Sequence, residues 1–416
     1  MINISKTTLG KLIEFQRGYD LPKSEMIDGV YPVRSSNGIL GYHNEYKAKG
    51  PGITIGRSGT VGIPHLIKSN FYPHNTSLFI KDFKGNDVEY IFYLLTNLKL
   101  GDRKSGSGVP TMNRNHLHPL EILAHLDVLT QKKIAKVLSD LDAKIEVNNK
   151  INAELEAMAK LIYDYWFVQF DFPDQDGKPY KSSGGKMVYN KELKREIPEG
   201  WGLKKLSNCC KIIDCLHSKK SDYHFENENC YLLQLDNIKD DGLLDLSKKY
   251  YVSKEEYMRW TYRIEVQDND LVITNAGRVA GLAQIPKNVV AGIGRNITAI
   301  RPTTILPTFL YYTFQGAEMN RQIKLNTDTG SFFKSLNVRG IKELLVIRPP
   351  KYLEQSFEEI AIKHRRKREL NSLQNQKLSE LRDWLLPMLM NGQVTVGEAE
   401  EKLGMVAEEN IKYRGL

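Results

Sequence analysis

Pro173-Asp174 followed by Glu192-Leu193-Lys194 fits an arrangement in which two carboxylates hold a magnesium ion and a lysine assists at a scissile phosphate. That chemistry needs its carboxylates on adjoining strands of a rigid sheet, and these residues fall in a stretch dense in Gly, Pro and charge. The run Ile55 to Gly62 has the glycines of a phosphate cradle, but it lacks Gly-Lys-Ser/Thr, and Pro64 stands where a helix would have to open. It reads as a tight turn between strands. Cys209, Cys210, Cys215 and Cys230, with His217 and His224, form a loose cluster without the paired spacing that clamps zinc, so free thiols buried on a strand are expected. There is no Walker lysine motif and no Asn-Pro-Pro-aromatic tetrapeptide. The sequence shows no converging acid, base, nucleophile and metal ligands, and no catalytic or metal-binding residue is assigned.

Residues suited to reading nucleic acid are better represented. Arg bonds guanine bidentately, Asn and Gln bond adenine, and Ser, Thr and Lys anchor phosphates. In the first half of the chain such residues cluster at Arg17, Arg34-Ser35-Ser36-Asn37, Arg57-Ser58, His74-Asn75, and Arg103-Lys104-Ser105 with Ser107. In the second half they cluster at Lys219-Lys220, Gln234 and Asn237, Asn275 and Arg278, Arg295-Asn296, and Lys324, Thr327, Thr329, Ser331 and Lys334. The 416-residue chain carries a formal charge of +9, which favours a polyanionic partner.

The elements that must position these residues follow from periodicity. Residues 128–169 and 351–390 read as long helices, with apolar residues recurring three and four apart, as in a coiled-coil seam. The basic run His364 to Arg368 reads as a solvated helix face. Blocks 1–127 and 201–350, rich in β-branched and aromatic residues broken by Gly and Pro, read as mixed globular domains with sheets. Residues 170–200 read as a linker and 391–416 as a tail. Both globes are basic: the first has 15 Lys and Arg against 11 Asp and Glu, the second 21 against 16. At the end of the first helix, Met158, Leu161, Ile162, Tyr165, Trp166 and Phe167 form an apolar cluster wider than one seam covers, and such aromatics commonly anchor interfaces. No apolar run approaches the roughly 20 residues of a membrane span, and no secretory core is apparent, so a cytoplasmic location is expected.

The second half repeats the first. Gly59-Thr60-Val61-Gly62 matches Gly277 to Gly281, Asn75-Thr76-Ser77 matches Asn296-Ile297-Thr298, Gly106-Ser107 matches Gly330-Ser331, and Leu155 matches Leu381, at offsets rising smoothly from 218 to 226. The expected fold is α+β: two mixed α/β globes joined by two long antiparallel helices, an internal pseudo-two-fold repeat. If 134–162 pairs with 388–360, Asn148 comes opposite Gln374 in a polar layer that fixes register.

This organisation resembles the specificity (S) subunit of type I restriction-modification systems, over nearly the whole chain to about Gly392. The resemblance is carried by Gln131-Lys132-Lys133-Ile134-Ala135, Leu138, Leu141-Asp142, Ile145, Leu155 and Tyr165-Trp166-Phe167, then by Gly177 to Val188 and Glu196-Ile197-Pro198-Glu199-Gly200-Trp201. It implies a subunit without catalysis, whose two target-recognition domains each read half of a bipartite asymmetric site in double-stranded DNA while the helices set the spacer. It also implies two adenine methyltransferase (M) subunits and two restriction/translocase (R) subunits as partners, with S-adenosylmethionine, ATP and Mg held by those partners and no cofactor bound by this chain. The recognition domains carry no family motif for base contacts, so the residues above rest on their chemistry. The second helix has Asn391-Gly392-Gln393 where the first has Tyr165-Trp166-Phe167, a departure that makes two equal partner sites less secure than two equal DNA sites. A self-contained nuclease or methyltransferase and a protein-binding scaffold are the alternative readings, and a gel shift separates all three.

Overall fold

The structure is a computed structural model that describes residues 4–102, 111–216, 230–329 and 334–402. The chain divides into two compact units, one of residues 1–147 and 374–416, the other of residues 148–373. Each unit therefore holds one globe together with segments of both long helices.

In the first unit, β2 (Glu14–Arg17), β5 (Gly52–Gly56), β6 (Pro64–Ile67) and β8 (Ser77–Asp82) form an antiparallel sheet in the order β2-β8-β5-β6. β5, alternating Ile and Thr between two glycines, is buried throughout, as a central strand should be. A smaller sheet orders β4 (Gly38–His43), β3 (Tyr31–Ser35) and β7 (Tyr72–Pro73), and β1 (Ile4–Thr8) pairs with β9 (Glu121–His125). Helix Val88–Asn97 opens on Asp87, whose carboxylate accepts from the Tyr90 amide at 2.9 Å. It buries Tyr90, Ile91, Leu94 and Leu95 in a core shared with Leu138 and Leu141 of one long helix and Leu378, Leu385 and Leu389 of the other.

The second unit repeats this strand for strand. The hairpin β10 (Met187–Asn190) and β11 (Arg195–Pro198) is followed by β12 (Gly202–Lys205), β13 (Cys210–Asp214), β14 (Tyr231–Leu233), β15 (Tyr250–Tyr251), β16 (Leu271–Thr274) and β17 (Leu282–Gln284). Then come β18 (Gly292–Ile293), β19 (Ile297–Pro302), β20 (Thr327–Thr329), β21 (Lys334–Leu336) and β22 (Leu345–Arg348). The orders β13-β19-β16-β17, β15-β14-β18 and β12-β22 reproduce β2-β8-β5-β6, β4-β3-β7 and β1-β9. The duplication read from scattered residues is thus a duplication of topology.

The first long helix runs Val128–Tyr163 and closes in a π-helical turn, Asp164–Val168; the second runs Lys351–Met390. Asp127 opens the first, its carboxylate accepting from the Thr130 amide at 2.8 Å. Within each unit the two helices pair antiparallel. In the second, Asn371 donates to Asn152 at 2.8 Å, where the expected register puts residue 370 opposite 152. A buried amide pair thus lies one turn beyond Asn148, which is itself buried.

Two expectations are corrected. Residues 170–200 are no free linker: Phe170, Phe172, Leu193 and Ile197 are buried in the core of the second unit beside Trp201, and Asp171 accepts from the Ser182 amide and hydroxyl at 2.7 Å each. Four well-placed apolar side chains outweigh the Gly/Pro-rich composition around them. The basic run is no solvated face either. Arg365 is buried and donates to Ile285 O at 2.7 Å, Arg366 pairs with Asp268 at 2.8 Å, and Arg368 is buried against Glu156. Guanidinium forks here find carbonyls and carboxylates of the globe, which makes their burial tolerable. Lys367 alone of the four cations at 365–368 is exposed.

Candidate nucleic-acid interface

In the first unit the polar stretches singled out from sequence converge on Thr76. Its carbonyl accepts from the amides of Arg57 at 2.9 Å and Ser58 at 3.3 Å, and its hydroxyl accepts from the Ser36 amide at 3.3 Å. The turn after β3, the segment after β5 and the turn before β8 are thereby bound into one cluster. Asn37 joins through Oδ1, which accepts from the Thr60 amide at 3.3 Å, and Arg57 O accepts from Met112 N at 2.9 Å. Gly59, at φ +81°, makes the turn that a side chain would strain.

Side chains in this cluster divide by exposure. Ser35 and Ser36 are buried, and Ser35 Oγ donates to Gly38 O at 3.0 Å, so they hold the turn and do not face outward. Asn37 is exposed, while Arg57, Ser58, His74 and Asn75 are half-buried. Arg34 is half-buried with a buried Nε that lacks a hydrogen-bond partner, and burial lowers its basicity. Burial likewise holds His74 below the usual imidazole range, the nearby Asp20 carboxylate opposing this more weakly. Arg17 lies at the end of β2, paired with Asp20 at 3.4 Å, and Asp20 also accepts from Asn75. Thr76 and Asp20, the two organising residues, escaped the sequence reading. The match of Asn75-Thr76-Ser77 to Asn296-Ile297-Thr298 pointed to this turn, but strand pairing of Gly56 with Ser77 and of Thr274 with Ile297 makes Asn296 the counterpart of Thr76, one residue from that match.

The second unit builds the same cluster from different residues. Asn275 N donates to Asn296 O at 2.8 Å, as Arg57 N does to Thr76 O. Leu336 N donates to Asn275 O at 2.8 Å, the counterpart of Met112 to Arg57, and Gly294 N donates to Leu233 O at 2.8 Å, the counterpart of His74 to Arg34. Ala276 bridges Ser335, which sets the β20-β21 hairpin with Thr327 and Lys334 beside this segment. Arg295 and Lys334 are exposed, Gln234 and Asn296 half-buried. Arg278 is exposed but engaged by Asp240 and Ile238 O. Asn237 is corrected: it is buried, accepting from Gln234 N at 2.7 Å and donating to Asp245 O and Lys248 O, and so braces the loop. Asn275 is buried too, and contributes mainly its backbone. Lys324 is exposed near the end of helix Ala317–Leu325, with no bond tying it to the cluster among the described contacts. Arg103, Lys104, Ser105, Ser107, Lys219, Lys220, Ser331 and the side chain of Thr329 lie outside the described residues, as do His217 and His224.

The would-be nuclease residues do not assemble. Asp174 spends its carboxylate on the amides of Asp176 and Lys178, at 2.9 and 2.8 Å, closing a turn. Cys209, Cys210 and Cys215 are buried free thiols. Among the described residues no helix is long and apolar enough to cross a membrane.

The apolar cluster ending the first long helix splits in two. Met158, Leu161 and Tyr165 are exposed, Leu161 by 67%. Ile162 and Trp166 are half-buried against the core of the second unit. Phe167 is corrected: it is buried, its ring 4.9 Å from Phe309 and 5.5 Å from Phe357, and is unavailable to a partner.

Residues 1–157 match the family model of the type I restriction modification DNA specificity domain. The chain is 24% identical over 315 residues to the type I restriction enzyme MjaIX specificity subunit of Methanocaldococcus jannaschii, covering 74% of this chain and 70% of that one. It is 23% identical to the HindI specificity subunit of Haemophilus influenzae, covering 64% and 68%. In fold it is similar to the type I restriction-modification S subunit from M. genitalium, with a TM-score of 0.55 at 16% identity over 94% of this chain and 96% of that one. The resemblance seen in the sequence is borne out: the chain is similar, over 74% and 64% of its length, to these two type I restriction enzyme specificity subunits.

Proposed function

We propose that this chain is the DNA sequence-specificity subunit of a type I restriction-modification enzyme. The loop cluster of each unit reads one half of a bipartite asymmetric target. The observation that carries this reading is the recurrence in both clusters of the same three main-chain hydrogen bonds, Arg57 N, Met112 N and His74 N in one answering to Asn275 N, Leu336 N and Gly294 N in the other: one scaffold is kept twice while the residues suited to base edges differ. Arg34, Asn37, Arg57, His74 and Asn75 belong to one reader, and Gln234, Arg278, Arg295, Asn296 and Lys334 to the other.

In this reading the chain performs no catalysis. One of two methyltransferase subunits docks on the exposed side of the first long helix, at Met158, Leu161 and Tyr165 beside Trp166, and two restriction/translocase subunits complete a cytoplasmic assembly. S-adenosylmethionine, ATP and Mg serve those partners. The paired helices set the spacer between half-sites, supported by their unbroken runs of 36 and 40 residues. The test is a gel shift with purified chain, alone and with its methyltransferase. Specific, tight binding only with the partner supports the reading. Modification or cleavage by the chain alone, or indifference to DNA, overturns it.

A further inference from the structure

The repeat that relates Leu155 to Leu381 also relates Asp142 to Arg368 and Glu156 to Arg382, at the same offset of 226. These four residues form two ion pairs across the two helices, one in each unit. In the first unit Arg382 donates to Asp142 at 2.6 Å, and the Tyr93 hydroxyl bonds the same carboxylate at 2.7 Å. In the second unit Arg368 pairs with Glu156, which also accepts from the Tyr312 hydroxyl at 2.8 Å. Repeat-related positions thus carry opposite charge. Both acids lie on the first helix and both bases on the second.

Nothing in the apolar pattern requires this. Among the charged residues from Lys136 to Lys160, only Asp142 and Glu156 are not exposed; the rest, of both signs, lie on the outer face. Each globe packs on the start of its own helix and on the end of the helix from the other repeat: Leu138 and Leu141 with Leu385 and Leu389 in one unit, Phe357 and Ala361 with Ala159 and Tyr163 in the other. In a duplicated chain the end of a helix from a second copy offers nearly the same apolar surface. Pairing two first helices in the same antiparallel register sets residue 142 opposite residue 156, carboxylate against carboxylate, at two half-buried sites. Pairing two second helices sets Arg368 against Arg382. Unlike apolar contacts, half-buried like charges discriminate sharply between partners.

We propose that the Asp142–Arg382 and Glu156–Arg368 pairs select the helix of the other repeat against the corresponding helix of a second copy, and so disfavour pairing of like helices between subunits. The inference is independent of DNA reading.

The test exchanges the signs of one pair. Asp142→Arg with Arg382→Asp preserves an ion pair within the chain and makes each helix complementary to its own copy. Tagged and untagged full-length chains are unfolded, mixed, refolded and recovered by the tag. Native chain should carry little untagged protein, and the exchanged variant at least about tenfold more. Glu156→Arg with Arg368→Glu should act in the same direction. Should neither refold, the milder Asp142→Asn with Arg382→Gln removes the discriminating charge while nearly keeping shape, and should give an intermediate rise. Capture no greater than native in the variants that fold, as judged by a cooperative melt, overturns the proposal.

Discussion

Asn371 donates its side-chain amide to Asn152 Oδ1 at 2.8 Å, with both residues buried between the long helices, and Asn152 Nδ2 in turn reaches Arg368 O at 3.4 Å. A buried amide pair is satisfied in one register only. Asn371→Leu strands the Asn152 amide and should lower the stability of the second unit by about 1 to 3 kcal/mol in urea unfolding, whereas Asn152→Leu added to it should restore most of the loss. Equal stability of the single and native proteins would show that the pair does not fix register.

Arg368 is buried between Glu156 and Asp241 O. Arg368→Ala leaves Glu156 with only tyrosine hydroxyls, and loss of one partner of such a pair costs about 3 to 5 kcal/mol. The contrasting change is at Lys136, whose pair with Asp140 is solvent-exposed: Lys136→Ala should leave the melting profile unchanged.

How much of this was legible in the sequence differs by residue. The long helices were, because Leu138, Leu141, Leu378 and Leu385 repeat at seam spacing, and so was their register to within one residue. The doubled topology was visible through turn residues such as Gly59 and Gly277, whose positive φ demands glycine. Burial of Arg365 and Arg368 was not, because it depends on carbonyls of Ile285 and Asp241 about a hundred residues away in sequence, and a basic run looks solvated until those are placed. The packing of 170–200 was hidden for a like reason: Phe170 and Phe172 find their core only once Trp201 meets them, edge-on to Phe170 and stacked on Phe172. Buried Ser36 and Asn237 show that residue type alone cannot separate a loop's brace from its reading face.

Mild acid should weaken the first unit and spare the second. Burial holds His65, His74 and His118 below the usual imidazole range, and His118 Nε2 accepts from the Phe15 amide at 3.0 Å, a bond that needs the neutral ring. For a depressed histidine the unfolded chain binds its proton first, so stability is full above the unfolded pKa near 6.5 and is lost as pH falls below it toward the folded values. Glu358 and Glu369, in the second unit, are held up by burial, so their contribution is fullest below the ordinary carboxylate range, fades as pH rises through the folded values and changes in the opposite sense. Hydrogen exchange at about pH 7.5 and about pH 5.5 should show protection falling in residues 4–102 and holding in 231–325. Uniform loss would contradict this.

At the proposed reading face, Arg57→Ala and Arg34→Ala should weaken DNA binding without unfolding the chain. A lost base contact costs about 1 to 3 kcal/mol and relaxes one position of the target, whereas a lost phosphate contact weakens all sequences and lowers the salt slope by about one. Ser36→Ala, at a buried brace, should change neither slope nor target.

On the first long helix, Leu161→Asp should abolish co-purification of the methyltransferase while the isolated chain still melts cooperatively, because Leu161 is exposed. Phe167→Ala should instead destabilise the chain by about 3 to 5 kcal/mol, since its ring is packed among Tyr163, Phe309 and Phe357. Folded Leu161→Asp protein that still captures the partner would move the docking surface elsewhere.

The most direct test of the account exchanges residues 201–350 for the second globe of a related specificity subunit and maps methylated adenines in cells that carry the methyltransferase. Two clusters, each bound together within its own unit, predict that one half of the methylated motif changes while the other half and the spacer remain. Loss of both halves, or an unchanged motif, would contradict independent reading by the two units.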